Sequence, residues 1–450
     1  MTIDILQGDC LEVLRTMDAE SVHSVVTDPP YHLTTGKKGG SGPASLNENS
    51  PAGRSRVGTG FMGMTWDGGD VAQNPALWAE VLRVSKPGAH LLAFGGTRTF
   101  HRMTCAIEDA GWEIRDCIMW VYGSGFPKSL DVSKAIDKAA GAEREVIGKN
   151  TNGSGPHNIK LSNHGPGDTG IGYMDGSGKV FDVTAPATEA AQQWAGWGTA
   201  LKPAWEPIII ARKPINGSVA SNVQEHSTGA INIDASRIPF QTEQDRQSAV
   251  PQGRCTSKEI SAIGAEPDAG RNLKRRDFEP SANRRYTDKG GTNFAATPGP
   301  RGGDDKGRWP ANLIHDGSDE VLQHFPNVAS GEPAGIKAGG KLNVYGEYAG
   351  GIPVTGYGDE GSAARFFYCA KASGSDREPF NNHPTVKPTA LMRYLVRLVT
   401  PEGGICLDPF LGSGTTAKAA QLEGCNCIGI ELNPAYVKLA KRRISQGVLL

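Results

Sequence analysis

The sequence predicts an α/β protein built on a mostly parallel, doubly wound sheet. Three observations carry this. Strand-like and helix-like segments alternate at both ends of the 450-residue chain, the rhythm of parallel strands joined by helical crossovers. The strands are largely apolar runs, such as AHLLAF (89–94), which suits burial on both faces. The long middle, 141–195 and 216–362, breaks the rhythm with Gly, Ser, Asn and charge, and reads as a large irregular insertion.

In the N-terminal segment, IDIL (3–6) is a strand and CLEVLRTM (10–17) a helix. VHSVVTDPPY (22–31) is an apolar strand closing in a proline turn, followed by a polar, glycine-rich stretch (34–70). PALWAEVLRVSKPG (75–88) has the spacing of an amphipathic helix that ends at Pro-Gly. AHLLAFGG (89–96) is a buried strand, RTFHRMTCAIEDAG (98–111) a helix closed by glycine, and WEIRDCIMWVY (112–122) a long strand.

In the C-terminal segment, ALMRYLVRLVT (390–400) is a helix and GICLDPF (404–410) a strand. GSGTTAKAAQLEG (412–424) is a loop and helix, CNCIGIE (425–431) a strand, and NPAYVKLAKRRI (433–444) a helix. One strong strand stands inside the middle, AWEPIIIARKP (204–214), and is assigned to the sheet of the end segments. The expected organisation is therefore one half-domain over 1–140, an insertion without clear secondary structure over 141–195, and a returning strand over 196–215. A separate region follows over 216–362, and the second half-domain covers 363–450.

The formal net charge is −1, from 47 Lys+Arg against 48 Asp+Glu, so any basic surface must be local. Glycine (59) and proline (29) make up about a fifth of the chain, against an average near 12%, which points to long loops. The eight cysteines form no CxxC pair and have no histidine cluster beside them, so neither disulfides nor a metal is expected. The N-terminus has no signal-peptide pattern, and no run approaches ~18 apolar residues. A cytoplasmic protein without a membrane span is expected.

The strongest ligand signal is LDPFLGSGTT (407–416). An apolar strand ends in Asp408 and turns through Phe410, Gly412 and Gly414 into a helix. In doubly wound sheets ligands bind outside the carboxyl ends of the strands, where such turns sit. About twenty residues on, CIGIE ends in Glu431, the spacing of a carboxylate that accepts from ribose hydroxyls. No Lys follows the second glycine, and Ala417 replaces the third glycine of the dinucleotide fingerprint. The pattern therefore fits a nucleoside cofactor rather than a phosphate cradle. Asp9, between a strand and a helix, either accepts from an adenine amino group or caps the helix that follows.

The second signal is Asp28-Pro29-Pro30-Tyr31. Two prolines fix φ and remove two donors, leaving a rigid corner with a carboxylate, a carbonyl and an aromatic ring. Such a corner suits an amino group on a flat ring: the acceptors take both protons and Tyr31 stacks on the ring. The contribution to chemistry is orientation and electrostatics rather than strong acid–base catalysis.

Together these residues resemble the DNA amino-methyltransferases. DPPY (28–31) is similar to their catalytic motif, DPFLGSGTT (408–416) to their cofactor motif, and HPTVKPTALMRYLV (383–396) to the segment that precedes it in permuted members. GIELNPAYVKLAKRRI (429–444) is similar to the strand and helix that follow. The order, with the catalytic motif first, then a long middle, then the cofactor motif, is the β arrangement of that family. The resemblance covers about half the chain and implies a permuted Rossmann-like methyltransferase fold. The cofactor it implies is S-adenosylmethionine, and the middle becomes a target-recognition region.

The implied substrate is a base flipped out of duplex DNA, with N6 of adenine favoured over N4 of cytosine because Asp leads the tetrad. Asp28, Pro29, Pro30 and Tyr31 are implied to hold the target base. Asp9, Asp28, Asp408, Phe410, Gly412, Gly414, Thr415, Glu431 and Asn433 are implied cofactor residues. His383, Thr385, Lys387 and Pro388 are implied to wrap the methionine end, chiefly through backbone. A homodimer is implied by the resemblance alone, and a restriction-endonuclease partner is left open.

Residues 271–308 hold ten Lys/Arg and five Asp/Glu, with arginine interleaved among aromatics. Lys274, Arg275, Arg276, Arg284 and Arg285 are the candidate DNA contacts there; a solvated charged loop is the competing reading. Lys37, Lys38, Arg54 and Arg56, after the catalytic turn, are candidates to close over the flipped nucleotide. Methylation of RNA or of a protein amide, and a non-enzymatic DNA-binding relic, rank below. No nuclease constellation stands out.

Overall fold

Two ends of the chain that are hundreds of residues apart build one sheet. The computed structural model describes residues 1–31, 70–125, 129–150, 181–243, 245–246, 306–329, 360–371, 376 and 378–446. The chain divides into two compact units: 1–236 with 311–324 and 367–450, and 237–310 with 325–366. The larger unit thus takes in residues 216–236 and 311–324, inside the 216–362 region expected to stand apart.

The larger unit runs β1 (Ile3–Gln7), α1 (Cys10–Thr16), β2 (Val22–Thr27), α2 (Pro75–Val84), β3 (Ser85–Phe94), α3 (Phe100–Asp109) and β4 (Glu113–Val121). It continues with α4 (Val132–Ala139), β5 (Val146–Asn150), β6 (Phe181–Thr184), α5 (Glu189–Gln193), β7 (Trp205–Arg212) and α6 (Val219–His226). After β8 (Leu313–His315) and α7 (Asp319–Leu322), the chain visits the smaller unit, where β9 (Asn327–Ala329) pairs antiparallel with β10 (Glu360–Ser362). It returns through β11 (Tyr368–Cys369), α8 (Thr389–Val399), β12 (Ile405–Asp408), α9 (Thr415–Leu422), β13 (Asn426–Glu431) and α10 (Pro434–Gln446).

Among the described residues the main sheet has nine strands in the order β1-β13-β12-β2-β3-β7-β4-β8-β11. All neighbours are parallel except β7, which runs antiparallel between β3 and β4. The predicted mostly parallel, doubly wound α/β fold is observed. The N-terminal strand β1 lies on β13, from Ile3 opposite Cys427 to Gln7 opposite Glu431, and β12 lies on β2, with Leu407 opposite Val25.

Alternation along the strands sorts side chains onto two faces. Leu92, Phe94, Ile208 and Ile210 pack with Leu391, Leu395 and Ala420 of α8 and α9. Leu91, Ala93, Ile209 and Ala211 pack on the other face with Leu14, Trp78, Val81 and Ile107 of α1 to α3. Both faces of the central strands are covered, which accounts for their unbroken apolar sequences.

Two expectations are corrected. The helix expected over 75–88 ends at Val84 and β3 starts at once at Ser85. Lys86 precedes a proline, which disfavours helical geometry there, and the Ser85 hydroxyl closes the last turn by donating to the Val81 carbonyl at 2.7 Å. The insertion over 141–195 is not devoid of structure: β5 and β6 pair antiparallel and α5 follows. Asp137 of α4 anchors this part, accepting from Arg144, from the Ala187 and Thr188 amides and from the Thr188 hydroxyl.

None of the seven described cysteines is in a disulfide. No helix among the described residues is long and apolar enough to cross a membrane.

Candidate active site

The proline corner follows β2, and the glycine turn follows β12, its direct neighbour. The two motifs therefore leave the sheet side by side at the carboxyl ends of parallel strands. The junction is a hydrogen bond: Thr27 Oγ1 donates to Asp408 Oδ1 at 2.7 Å.

Asp28 has both carboxylate oxygens engaged. Oδ1 accepts from the Tyr31 hydroxyl at 2.8 Å, and Oδ2 lies 2.8 Å from Lys387 Nζ. The Tyr31 hydroxyl is also 3.0 Å from Glu206 Oε2, so two carboxylates share its one proton. Lys387 Nζ donates to the Tyr31 hydroxyl at 3.0 Å and pairs with Glu206 at 3.1 Å. The ammonium also sits over the rings of Tyr31 and Phe94, 5.2 and 4.8 Å from their centroids, a favourable placement for a cation.

Burial pulls the Lys387 pKa down, but the carboxylates of Asp28 and Glu206 outweigh it and hold it above the ordinary value. Burial and the same two carboxylates raise the Tyr31 phenol. The backbone is pinned as well, since Thr99 Oγ1 donates to the Tyr31 carbonyl at 2.6 Å. A cleft beside the corner is lined by Pro30, Tyr31, Gly95, Gly96, Thr99 and Met103.

In the glycine turn, Asp408 is only 2% exposed. It accepts from Thr27, from Thr416 Oγ1 at 2.5 Å and from the Phe410 amide at 3.0 Å. Burial nevertheless raises its pKa to about 6. Gly412 and Gly414 take positive φ, +54° and +84°, which side-chain-bearing residues rarely adopt. The Gly412 amide donates to Glu431 Oε2 at 2.9 Å, and the Asn433 amide to Oε1 at 2.7 Å. Burial raises the Glu431 carboxyl against these donors.

His383 lies against this turn. A Cβ on Gly412 would come within 3.1 Å of its imidazole, whose Nδ1 is 2.6 Å from the Thr385 carbonyl and whose ring meets Tyr436 edge-on. Thr415 is buried at the start of α9, and Pro388 immediately precedes α8. Asn433 caps α10 by accepting from the Ala435 amide. Asp9 caps α1, accepting from the Leu11 and Glu12 amides, next to Gly8, whose amide donates to the Glu431 carbonyl.

The structure thus gathers Asp28, Tyr31 and Lys387 at the corner, and Asp408, Gly412, Glu431 and His383 at the turn. The candidate DNA contacts Lys37, Lys38, Arg54, Arg56, Lys274, Arg275, Arg276, Arg284 and Arg285 lie outside the described residues.

Three residues were missed by sequence reasoning. Glu206 reaches the corner because β7 is antiparallel, so its first residues lie where the parallel strands end, with Trp205 opposite Val121 and Ile208 opposite Phe94. The signal was a lone acid opening an otherwise apolar strand. Arg443 is fully buried behind the turn, donating to the Ser413 carbonyl, to the Ser413 and Thr415 hydroxyls and to Glu378. It sits in a basic run, KRR, that reads as surface. Asn381, two residues before His383, is 5% exposed, and its Nδ2 has no hydrogen-bond partner among the described residues.

Comparison with known proteins accords with this geometry. The DNA adenine methyltransferase YhdJ of Escherichia coli K12 is 43% identical over 67 residues, 15% of this chain and 23% of that protein. The type II methyltransferase M.SmaI of Serratia marcescens is 47% identical over 68 residues, again 15% and 23%. The chain therefore spans about a quarter of the length of these relatives. Among solved structures, a complex of M1.HpyAVI with SAM aligns over 98% of this chain and 99% of that one, at 14% identity and TM-score 0.34. The cytosine-N4-specific PvuII DNA methyltransferase aligns over 99% and 91%, at 12% identity and TM-score 0.36. Both likenesses are too loose to carry an argument. The profile of the DNA methylase family, in contrast, matches residues 22–442, nearly the whole chain, and the chain belongs to that family.

Proposed function

We propose that the protein transfers a methyl group from S-adenosylmethionine to the exocyclic amino group of a base flipped out of duplex DNA, with N6 of adenine favoured over N4 of cytosine. The observation that carries this is the junction of Thr27 and Asp408. It sets the acceptor-rich corner and the glycine turn next to each other at one sheet edge.

The residues present fit the cofactor. Asn381 offers a buried, unpartnered donor suited to a carboxylate such as that of the methionine end. The Glu431 carboxylate, held by two amides, keeps lone pairs for ribose hydroxyls. Gly412, at positive φ and without a side chain, lets the His383 ring lie against the turn. Bound there, S-adenosylmethionine supplies a methyl group activated by a positively charged sulfur.

The protein's own residues handle the amine. Asp28 and a carbonyl of the proline corner accept its two protons, which turns the nitrogen lone pair out of conjugation with the ring. Tyr31, pinned by Thr99, presents its ring for stacking. As the nitrogen takes the methyl carbon from the sulfur, which is left as a neutral thioether, it becomes positively charged, and the proton it then loses leaves along the hydrogen bond to Asp28. The work is positioning and charge stabilisation. In a duplex, the amino group would be stacked out of reach, which requires flipping.

The test is transfer of labelled methyl groups to DNA, RNA and protein in parallel, followed by nucleoside analysis. N6-methyladenine in DNA is expected. N4-methylcytosine would shift the target to the alternative base, and label confined to RNA or protein would overturn the proposal.

A further inference from the structure

We propose that Glu206 is a positioning residue of the methyl-transfer site, sharing the Lys387 ammonium and the Tyr31 hydroxyl with Asp28 so that the buried cluster keeps one net negative charge facing the target amine. This rests on the function proposed above and deepens it.

The argument starts from charge. Asp28, Glu206 and Lys387 are 23%, 15% and 11% exposed at their side chains. A buried ammonium facing Asp28 alone would neutralise the carboxylate that has to receive the amine. With Glu206 present, two carboxylates share one ammonium and one phenolic proton. The cluster sums formally to −1, at the place where the reacting nitrogen turns positive. Fixed charge in a water-poor site is most effective when it is already in position.

Topology supplies the placement. Glu206 points to the same sheet face as Ile208 and Ile210, the face covered by α8, and Lys387 lies two residues before α8 begins. No parallel strand could put its first residues at this edge, so the antiparallel strand β7 is what delivers the acid. The groups facing Lys387 are Asp28 and Tyr31 from the corner, Glu206 from β7 and the Phe94 ring from β3. Tyr122, directly after β4, touches the cluster through a hydrogen bond to Glu206.

The experiment compares wild type, Glu206→Gln and Glu206→Asp in single-turnover methyl transfer to DNA at saturating cofactor from pH 7 to 10. Acylation of Lys387 is followed over the same range by mass spectrometry without cofactor or DNA. For Glu206→Gln we expect a rate at pH 7.5 lower by about tenfold or more, with cofactor affinity unchanged within about twofold. As Lys387 loses its proton the cluster of this variant returns to −1, so its rate should rise with pH, beginning at lower pH than any change in the wild type, and Lys387 should acylate at lower pH, because one of the two carboxylates that retain its proton is gone. Glu206→Asp should recover most of the rate.

A wild-type rate and pH profile in Glu206→Gln would overturn the proposal. So would an equal loss at every pH with unshifted Lys387 reactivity, which marks a purely structural role. If the wild type itself methylates no nucleic acid, the functional reading fails, while the acylation shift still reports whether Glu206 holds the Lys387 proton.

Discussion

Thr27 and Asp408 are 381 positions apart in sequence and joined by a 2.7 Å hydrogen bond inside the protein. The bond ties the last residue of β2 to the last residue of β12, so the two functional motifs share a foundation. Thr27→Val would leave a buried carboxylate short of one donor and should cost about 1–3 kcal/mol of stability, measured by urea unfolding at pH 7.5.

The same carboxyl makes a pH prediction. Burial raises Asp408 from 3.8 to about 6, so the folded protein holds this proton more tightly than the unfolded chain. Its contribution is fully present below about pH 4 and is lost as pH rises through 6. Asp408→Asn removes the titration. Relative to wild type, this variant should gain about 2–3 kcal/mol between pH 4 and pH 7.5. A stability difference that stays flat over that range would contradict the placement of this group.

Asp28 should matter far more to the chemistry than to cofactor binding. Asp28→Ala is expected to lower the methyl-transfer rate by about 10² or more. The dissociation constant for S-adenosylmethionine should change much less than the rate, because most of the candidate cofactor residues sit on or just after β12 and β13 and in the segment before α8. Calorimetric titration and single-turnover kinetics on the same preparation separate the two. A variant that still transfers methyl groups at the normal rate would remove the corner from the mechanism.

The two glycines of the turn should behave differently. On Gly414 a Cβ would lie 2.7 Å from the Ala440 Cβ of α10, at φ +84°. Gly414→Ala therefore combines a left-handed backbone, about 1–2 kcal/mol, with a clash between two elements, and should lower the melting temperature. On Gly412 a Cβ would meet the His383 ring at 3.1 Å. Gly412→Ala should lose less stability and more cofactor affinity. Equal effects of the two on both quantities would argue that the turn is only structural.

These placements show what was legible beforehand. The strands from Val22 to Thr27 and from Ile405 to Asp408 announced themselves because both faces are covered and the residues are apolar. The corner at Asp28 and the turn at Gly412 were legible because proline and glycine carry backbone geometry in the sequence itself. Glu206 and Arg443 were not, since their roles depend on strand direction and on which helix face is buried. The Lys387 side chain is a similar case. The sequence implied a role for it chiefly through backbone, while the fold carries its ammonium to Asp28. The short strands β8 and β11 have too few residues to show a period, and only their neighbours in the sheet define them.

Arg443 makes the sharpest stability prediction. Its guanidinium has no exposed side-chain surface, and it binds Glu378, the Ser413 carbonyl and hydroxyl, the Thr415 hydroxyl and the Asp376 carbonyl. Arg443→Met fills similar volume but strands a carboxylate and several acceptors, and should cost about 3–5 kcal/mol. Arg443→Lys keeps the charge but not the forked geometry and should fall between. Because these contacts brace the backbone that holds Gly412 and Gly414, cofactor affinity in Arg443→Lys should drop along with stability. Unfolding and cofactor titration of both variants check this, and an Arg443→Met protein within about 1 kcal/mol of wild type would show that α10 does not hold the turn.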